Sequence, residues 1–213
     1  IAAAAAQDDE LLDAALGDDV QPLQARQALT VLTRLARRVS TTQAILERAL
    51  ARHLRLRAED ARQVGEETGA PLPEILAKVL REAPRQEQRQ VVDLLRPKLP
   101  KDTVNLGALS VEVASRLAEF ADRQTVGNPR KRDRRRFETL SSLAWALRRQ
   151  GQHSEAADVG EVAYQAARRA FHGKDQRNRS DLASWTTNSA TLLSNVGRHA
   201  EALERAEAAE AIW

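Results

Sequence analysis

The chain has 213 residues and a net charge of +3, with 30% charged and only 3% aromatic residues. It has no Cys, which excludes disulfides, thiolate metal sites and cysteine nucleophiles. Few aromatics argue against a sheet, while abundant Ala, Leu, Arg and Glu favour helix, so an all-α protein is expected.

Met is missing too, even at position 1, which is the pattern of a processed chain or an excised fragment. The basic residues are almost all arginine, as in a GC-rich bacterial genome. The apolar run Ile1 to Ala6 is too short to cross a bilayer and lacks the basic flank of a signal peptide. A soluble, cytoplasmic protein with no membrane contact is the expectation.

In chain order, residues 1–22 read as a short helix and linker, punctuated by Gly17 and Pro22. Residues 23–126 read as a helical-hairpin domain. Leu29, Leu32, Ala36 and Val39 share one helical face. Ser40 and Gln43 have the form of a capping box for a helix carrying Ile45, Leu46, Ala49, Leu50, His53 and Leu54. A separate short helix ends near Gly69, and Pro73 opens another with Ile75, Leu76, Val79 and Leu80 inward. Val91, Val92, Leu94 and Leu95 mark a helix that stops before Pro97. Asp102 is placed to cap a longer helix with Leu106, Leu109, Val113, Leu117 and Phe120 on one stripe. Residues 127–136 read as a very basic linker.

Residues 137–213 contain a repeated phrase. Gly151 and Gly197 lie 46 residues apart, and the same offset relates His153 to His199, Glu155 to Glu201, Ala156 to Ala202 and Ala163 to Ala209. Upstream it relates Ala144 to Ala190 and Leu147 to Leu193. A glycine that ends one helix, followed five residues on by a small alanine, describes a tightly crossed helical hairpin. Such a hairpin buries its apolar face by stacking on its neighbours, which makes a solenoid.

These residues resemble the tetratricopeptide repeat, a helix–turn–helix of roughly 34 residues. Leu143 and Ala144 stand at the family's first-helix positions, Gly151 and Ala156 at the turn and crossing, and Ala163 at the second-helix packing position. The longer period is similar to the repeats of kinesin light chains and of large bacterial regulators. The second copy departs at Ser189 and Thr186 and is read as truncated. The stretch "LPKDTVNLGALSVEVASRLAEF" ahead of it resembles the region before the repeats in actinobacterial signal-transduction ATPases with numerous domains. The chain has no GxxxxGK[ST], so no phosphate cradle of its own. The implied fold is a right-handed helical-hairpin solenoid preceded by a helical domain.

In that family the first helices line a concave groove. The resemblance places Ser141, Ser142, Trp145, Arg148 and Arg149 there from the first repeat, and Thr187, Asn188, Thr191 and Asn195 from the second. An asparagine amide both donates to and accepts from a peptide backbone, and Trp145 suits an apolar anchor or, equally, packing on the preceding helix. Arg130, Lys131, Arg132, Arg134, Arg135 and Arg136 are candidate phosphate contacts or a solvated linker paired with acids. No aromatic platform is interleaved with them, so nucleic acid is not the expected partner. No metal, cofactor or catalytic site is expected: His153 and His199 repeat as turn residues, and no nucleophile elbow occurs. The expected function is non-catalytic, either protein or peptide binding in the groove or self-assembly through the C-terminal helix. A bacterial signalling NTPase is the implied parent, and nucleic-acid binding through 130–136 is the alternative.

Overall fold

The computed structural model describes residues 10–100, 105–123, 128–171 and 175–212, with the side chains of all of these except 122 and 123. Among them every regular element is helical and no strand occurs. The chain divides into two compact units, Ile1–Val113 and Ala114–Trp213. The division falls inside a helix, upstream of the basic segment expected to serve as a linker.

The first unit begins with α1 (residues 10–16), α2 (Pro22–Ala36) and α3 (Ser40–Thr68). Pro22 opens α2, where its missing N–H costs nothing. The buried stripe of α2 is Ala25, Leu29, Thr33 and Ala36; Leu32 is half-buried and Val39 exposed, so the expected stripe is rotated. Thr33 tolerates the core because its hydroxyl donates to the Leu29 carbonyl at 2.6 Å.

The expected capping box does not form. Val39 is the N-cap of α3, Ser40 is already helical, and no side chain caps this end. The two helices read from sequence between Ser40 and Thr68 are one helix with a kink at His53, where φ is −116° and ψ is 25°. It ends at Gly69, whose φ of 72° reverses the chain, as the glycine signal implied. α3 packs on α2, on α4 (Leu72–Glu82) and on α5 (Arg85–Leu95). Leu46, Leu50, Leu54, Leu72, Leu76, Leu80 and Leu95 are buried in this core. Each buried leucine contributes about 1.5–3 kcal/mol of transfer free energy. Leu94 turns outward, and Pro97 lies in a 3-10 turn, Arg96–Lys98, that continues α5.

Buried Arg57 ties α3 to the turn after α1. Its guanidinium donates to the carbonyls of Leu16 (2.8 Å), Gly17 (2.5 Å) and Val20 (2.8 Å), and to Asp60 at 3.3 Å. A charge removed from water needs this degree of pairing.

The helix α6 (Gly107–Arg123) carries the division between the units. Leu109 and Val113 are buried along it, as is Leu106 just before it, whereas Leu117 and Phe120 are half-buried. Asp102, the expected cap, lies outside the described residues.

The second unit continues with α7 (Pro129–Arg149), α8 (His153–Ala170), α9 (Gln176–Ser194) and α10 (His199–Ile212). α7 packs on α8, α8 on α9, and α9 on α10. The 46-residue repeat is matched by repeated geometry. Gly151 and Gly197 have φ of 75° and 77°. The N–H of Gln152 donates to the Leu147 carbonyl and that of Gly151 to Arg148; the N–H of Arg198 donates to Leu193 and that of Gly197 to Ser194. Both turns are therefore Schellman motifs, which need a glycine at the left-handed position. Ala144, Ala156 and Ala163 are buried, as are Ala190, Ala202 and Ala209. Ser189 and Thr186, the departures in the second copy, are buried as well, and adjacent Trp185 supplies bulk at that level.

The segment 127–136 is not a linker throughout: residues 129–136 form the first two turns of α7. Asn128 caps them by accepting from the Arg130 N–H at 2.9 Å, and Pro129 follows at the first helical position.

Candidate interaction surface

The residues expected to line a groove fall in two equivalent rows. Ser142, Trp145 and Arg149 on α7 correspond, 46 residues on, to Asn188, Thr191 and Asn195 on α9. Spacings of three and four keep each row on one side of its helix. Ser142, Arg149, Thr191 and Asn195 are exposed; Trp145, Arg148 and Asn188 are half-buried. Ser141 is half-buried and Thr187 exposed. The hydroxyls of Ser142 and Thr191 donate to Glu138 and Thr187 in their own helices, at 2.9 and 3.3 Å. Their oxygens keep acceptor capacity on the outside.

An aromatic cluster joins α7 to α9. The rings of Trp145 and Trp185 meet edge to face with centroids 6.4 Å apart, and Phe137 meets Trp185 at 5.5 Å. Phe171 adds a third edge contact to Phe137 at 5.1 Å. Edge-to-face pairs each add about 0.5–1.5 kcal/mol beyond area burial. Arg148 stacks over Trp145 with its guanidinium 5.0 Å from the ring centroid. Trp185 and Tyr164 are buried, as their packing role requires. Trp145 is half-buried and packs on Trp185 of α9.

The basic run is partly consumed by the fold. Arg130 donates to the Ala170 carbonyl at 3.0 Å, and Arg134 pairs with Glu138 at 3.4 Å while lying over Phe171. Buried Asp133, inside the run, takes an ion pair from Arg169 at 3.3 Å. Lys131, Arg132, Arg134 and Arg135 are exposed and Arg136 is half-buried. His153 and His199 open α8 and α10 on the surface. His172 and Trp213 lie outside the described residues.

Two of the recesses among the described residues lie in the first unit. One of about 570 Å³ is apolar, with Leu11, Ala28, Val31 and Ile45 in its wall. The other, about 430 Å³, is lined by Asp18, Arg52, His53, Arg55, Leu56 and Glu87. At its edge His53 Nε2 meets Asp13 Oδ1 at 2.8 Å, and Arg52 reaches the same carboxylate at 3.2 Å. The His53 bond first, and Arg52 second, hold the Asp13 carboxyl below its ordinary value of 3.8. Among the described residues no group of three or more His, Asp or Glu is arranged to hold a metal ion, and no helix is long and apolar enough to cross a membrane.

No family model matches the chain, and no curated protein or solved structure is significantly similar to it.

Sequence reasoning missed three features. The Asn128–Pro129 pair was a legible helix start inside the basic run. Arg57 gave no signal, because nothing local distinguishes a buried arginine from its exposed neighbours. The third is the set of contacts that α10 makes to α8, described below.

Proposed function

We propose that this chain is a non-catalytic protein-interaction module, built from tetratricopeptide-like helical hairpins stacked as a solenoid, that binds an extended peptide along α7 and α9. The observation that carries the reading is the Trp145–Trp185 contact, which makes neighbours of the first helices of the two hairpins. The two equivalent rows then supply an aromatic anchor at Trp145, amides at Asn188 and Asn195, and cations at Arg148 and Arg149. Amides along α9 suit a peptide backbone, which offers alternating donors and acceptors. A place as the sensor part of a larger bacterial signalling ATPase is what the sequence resemblance suggests.

Selection from a displayed library of random peptides, followed by calorimetry on the selected sequences, tests the reading. Binding should be lost in Trp145→Ala and weakened in Asn188→Ala, with helicity unchanged. Selected peptides that bind both variants as well as the parent would refute the groove.

A further inference from the structure

The two hairpins are held together by more than apolar contact. Arg205 of α10 donates to Glu161 Oε2 of α8 at 2.7 Å, and its guanidinium lies 3.7 Å from the Tyr164 ring centroid. Only 18% of the Arg205 side chain is exposed. Arg198, in the α9–α10 turn, is held by Glu201 at 2.5 Å and reaches Asp158 of α8 at 3.8 Å. Beside these acids, Gly160 receives Leu192 of α9. The outer side of α8 thus offers an acid pair one turn apart around a small residue, and the second hairpin answers with two arginines and a leucine.

The acid pair around a small residue recurs 46 residues later. Asp158 corresponds to Glu204, Glu161 to Glu207, Gly160 to Ala206, and Tyr164 to Glu210. Glu204, Ala206, Glu207 and Glu210 are all exposed. Among the described residues none of the three glutamates has an ion-pair partner. Leu203 is 62% exposed, whereas its equivalent Ala157 is buried. Ala202 and Ala209 are buried on the α9 side of α10, whereas Leu203, about 100° round the helix from Ala202, is exposed.

We propose that the outer face of α10, centred on Leu203, Glu204, Ala206, Glu207 and Glu210, docks a helical hairpin of the α9–α10 type supplied by a further repeat. Its second helix carries an arginine equivalent to Arg205, and its turn carries one equivalent to Arg198, seven residues earlier. Its first helix presents a residue smaller than leucine to Ala206, because Gly160 has no room for a methyl group beside Leu192. A second copy of this chain is a poorer occupant. Its leading hairpin has Gln152 and Val159 where the arginines are needed, and its own Arg198 and Arg205 are engaged. The surface is separate from the groove on α7 and α9, so either can fail without the other.

The test appends residues 168–213 a second time after Trp213, with Leu192→Ala in the added copy, which places the new arginines 46 residues beyond the old ones. Amide hydrogen exchange is then followed in residues 199–212. The extension should slow exchange there by about tenfold or more, as a newly covered helix requires. Glu204→Gln with Glu207→Gln in α10, or Arg198→Gln with Arg205→Val in the added copy, should return it most of the way. Unchanged exchange in the extended chain would overturn the proposal, and so would protection that survives both pairs of substitutions.

Discussion

Gly160 of α8 faces Leu192 of α9 with no space between them: a Cβ on Gly160 would lie 2.6 Å from Leu192 Cδ1. The two hairpins meet through this knob and hole. Gly160→Val should therefore destabilise the protein by about 1–3 kcal/mol through overpacking. Leu192→Ala empties the same space, so the double variant should lose less than the sum of the single losses. Urea denaturation of the four proteins measures this. Strict additivity would show that the two side chains do not share a site.

How far this could be read from the sequence depends on how local each cause is. A glycine that must take positive φ acts within one turn, so Gly69, Gly151 and Gly197 could be identified before any coordinates. The alanines at the hairpin crossing were legible for a different reason: the 46-residue offset repeats them. The capping box at Ser40 failed because helix entry is settled by where the chain turns, and it turns at Val39. The break between the two helices was read after Leu54, whereas the non-helical residue is His53, since sequence periodicity does not fix where a helix bends. The basic segment misled through composition, because arginine is as compatible with helix as with solvent. The proposed groove residues came from the family resemblance rather than from any local signal. The aromatic link between α7 and α9 was not legible, because it joins positions, Trp145 and Trp185, that are not equivalent in the repeat.

Arg57 holds three carbonyls of the α1–α2 turn to α3 and balances Asp60. Arg57→Ala takes the guanidinium donor from the buried Leu16 carbonyl and leaves Gly17 with the Val20 N–H and Asp60 with Arg26. The expected loss is about 3–5 kcal/mol in chemical denaturation. A loss under roughly 0.5 kcal/mol, typical of surface positions, would show that the turn is not anchored there.

The Asp13 carboxyl titrates below its ordinary value of 3.8 because His53 and Arg52 bond to its ionised form. A depressed folded-state pKa adds stability above the unfolded value and loses it as pH falls through the folded one. Melting temperature should therefore drop more steeply below pH 4 in the parent than in Asp13→Asn. Half-exposure of Asp13 keeps the difference small. Parallel profiles for the two proteins would contradict the pairing.

The run from Arg130 to Arg136 spends Arg130 and Arg134 inside the second unit. No measurable nucleic-acid binding is expected at physiological salt. Fluorescence anisotropy with labelled single- and double-stranded DNA and RNA checks this. Sub-micromolar, salt-steep binding that disappears when Arg134, Arg135 and Arg136 become Ala would reverse the expectation.

The peptide groove is tested most directly by mapping amide chemical-shift changes while a peptide selected for binding is titrated in. Changes should concentrate in residues 141–149 and 187–195, on the two helices that the Trp145–Trp185 contact links. They should move together at one affinity. Changes confined to the apolar recess around Leu11 and Val31, or to α10 alone, would contradict the assignment of the groove to α7 and α9.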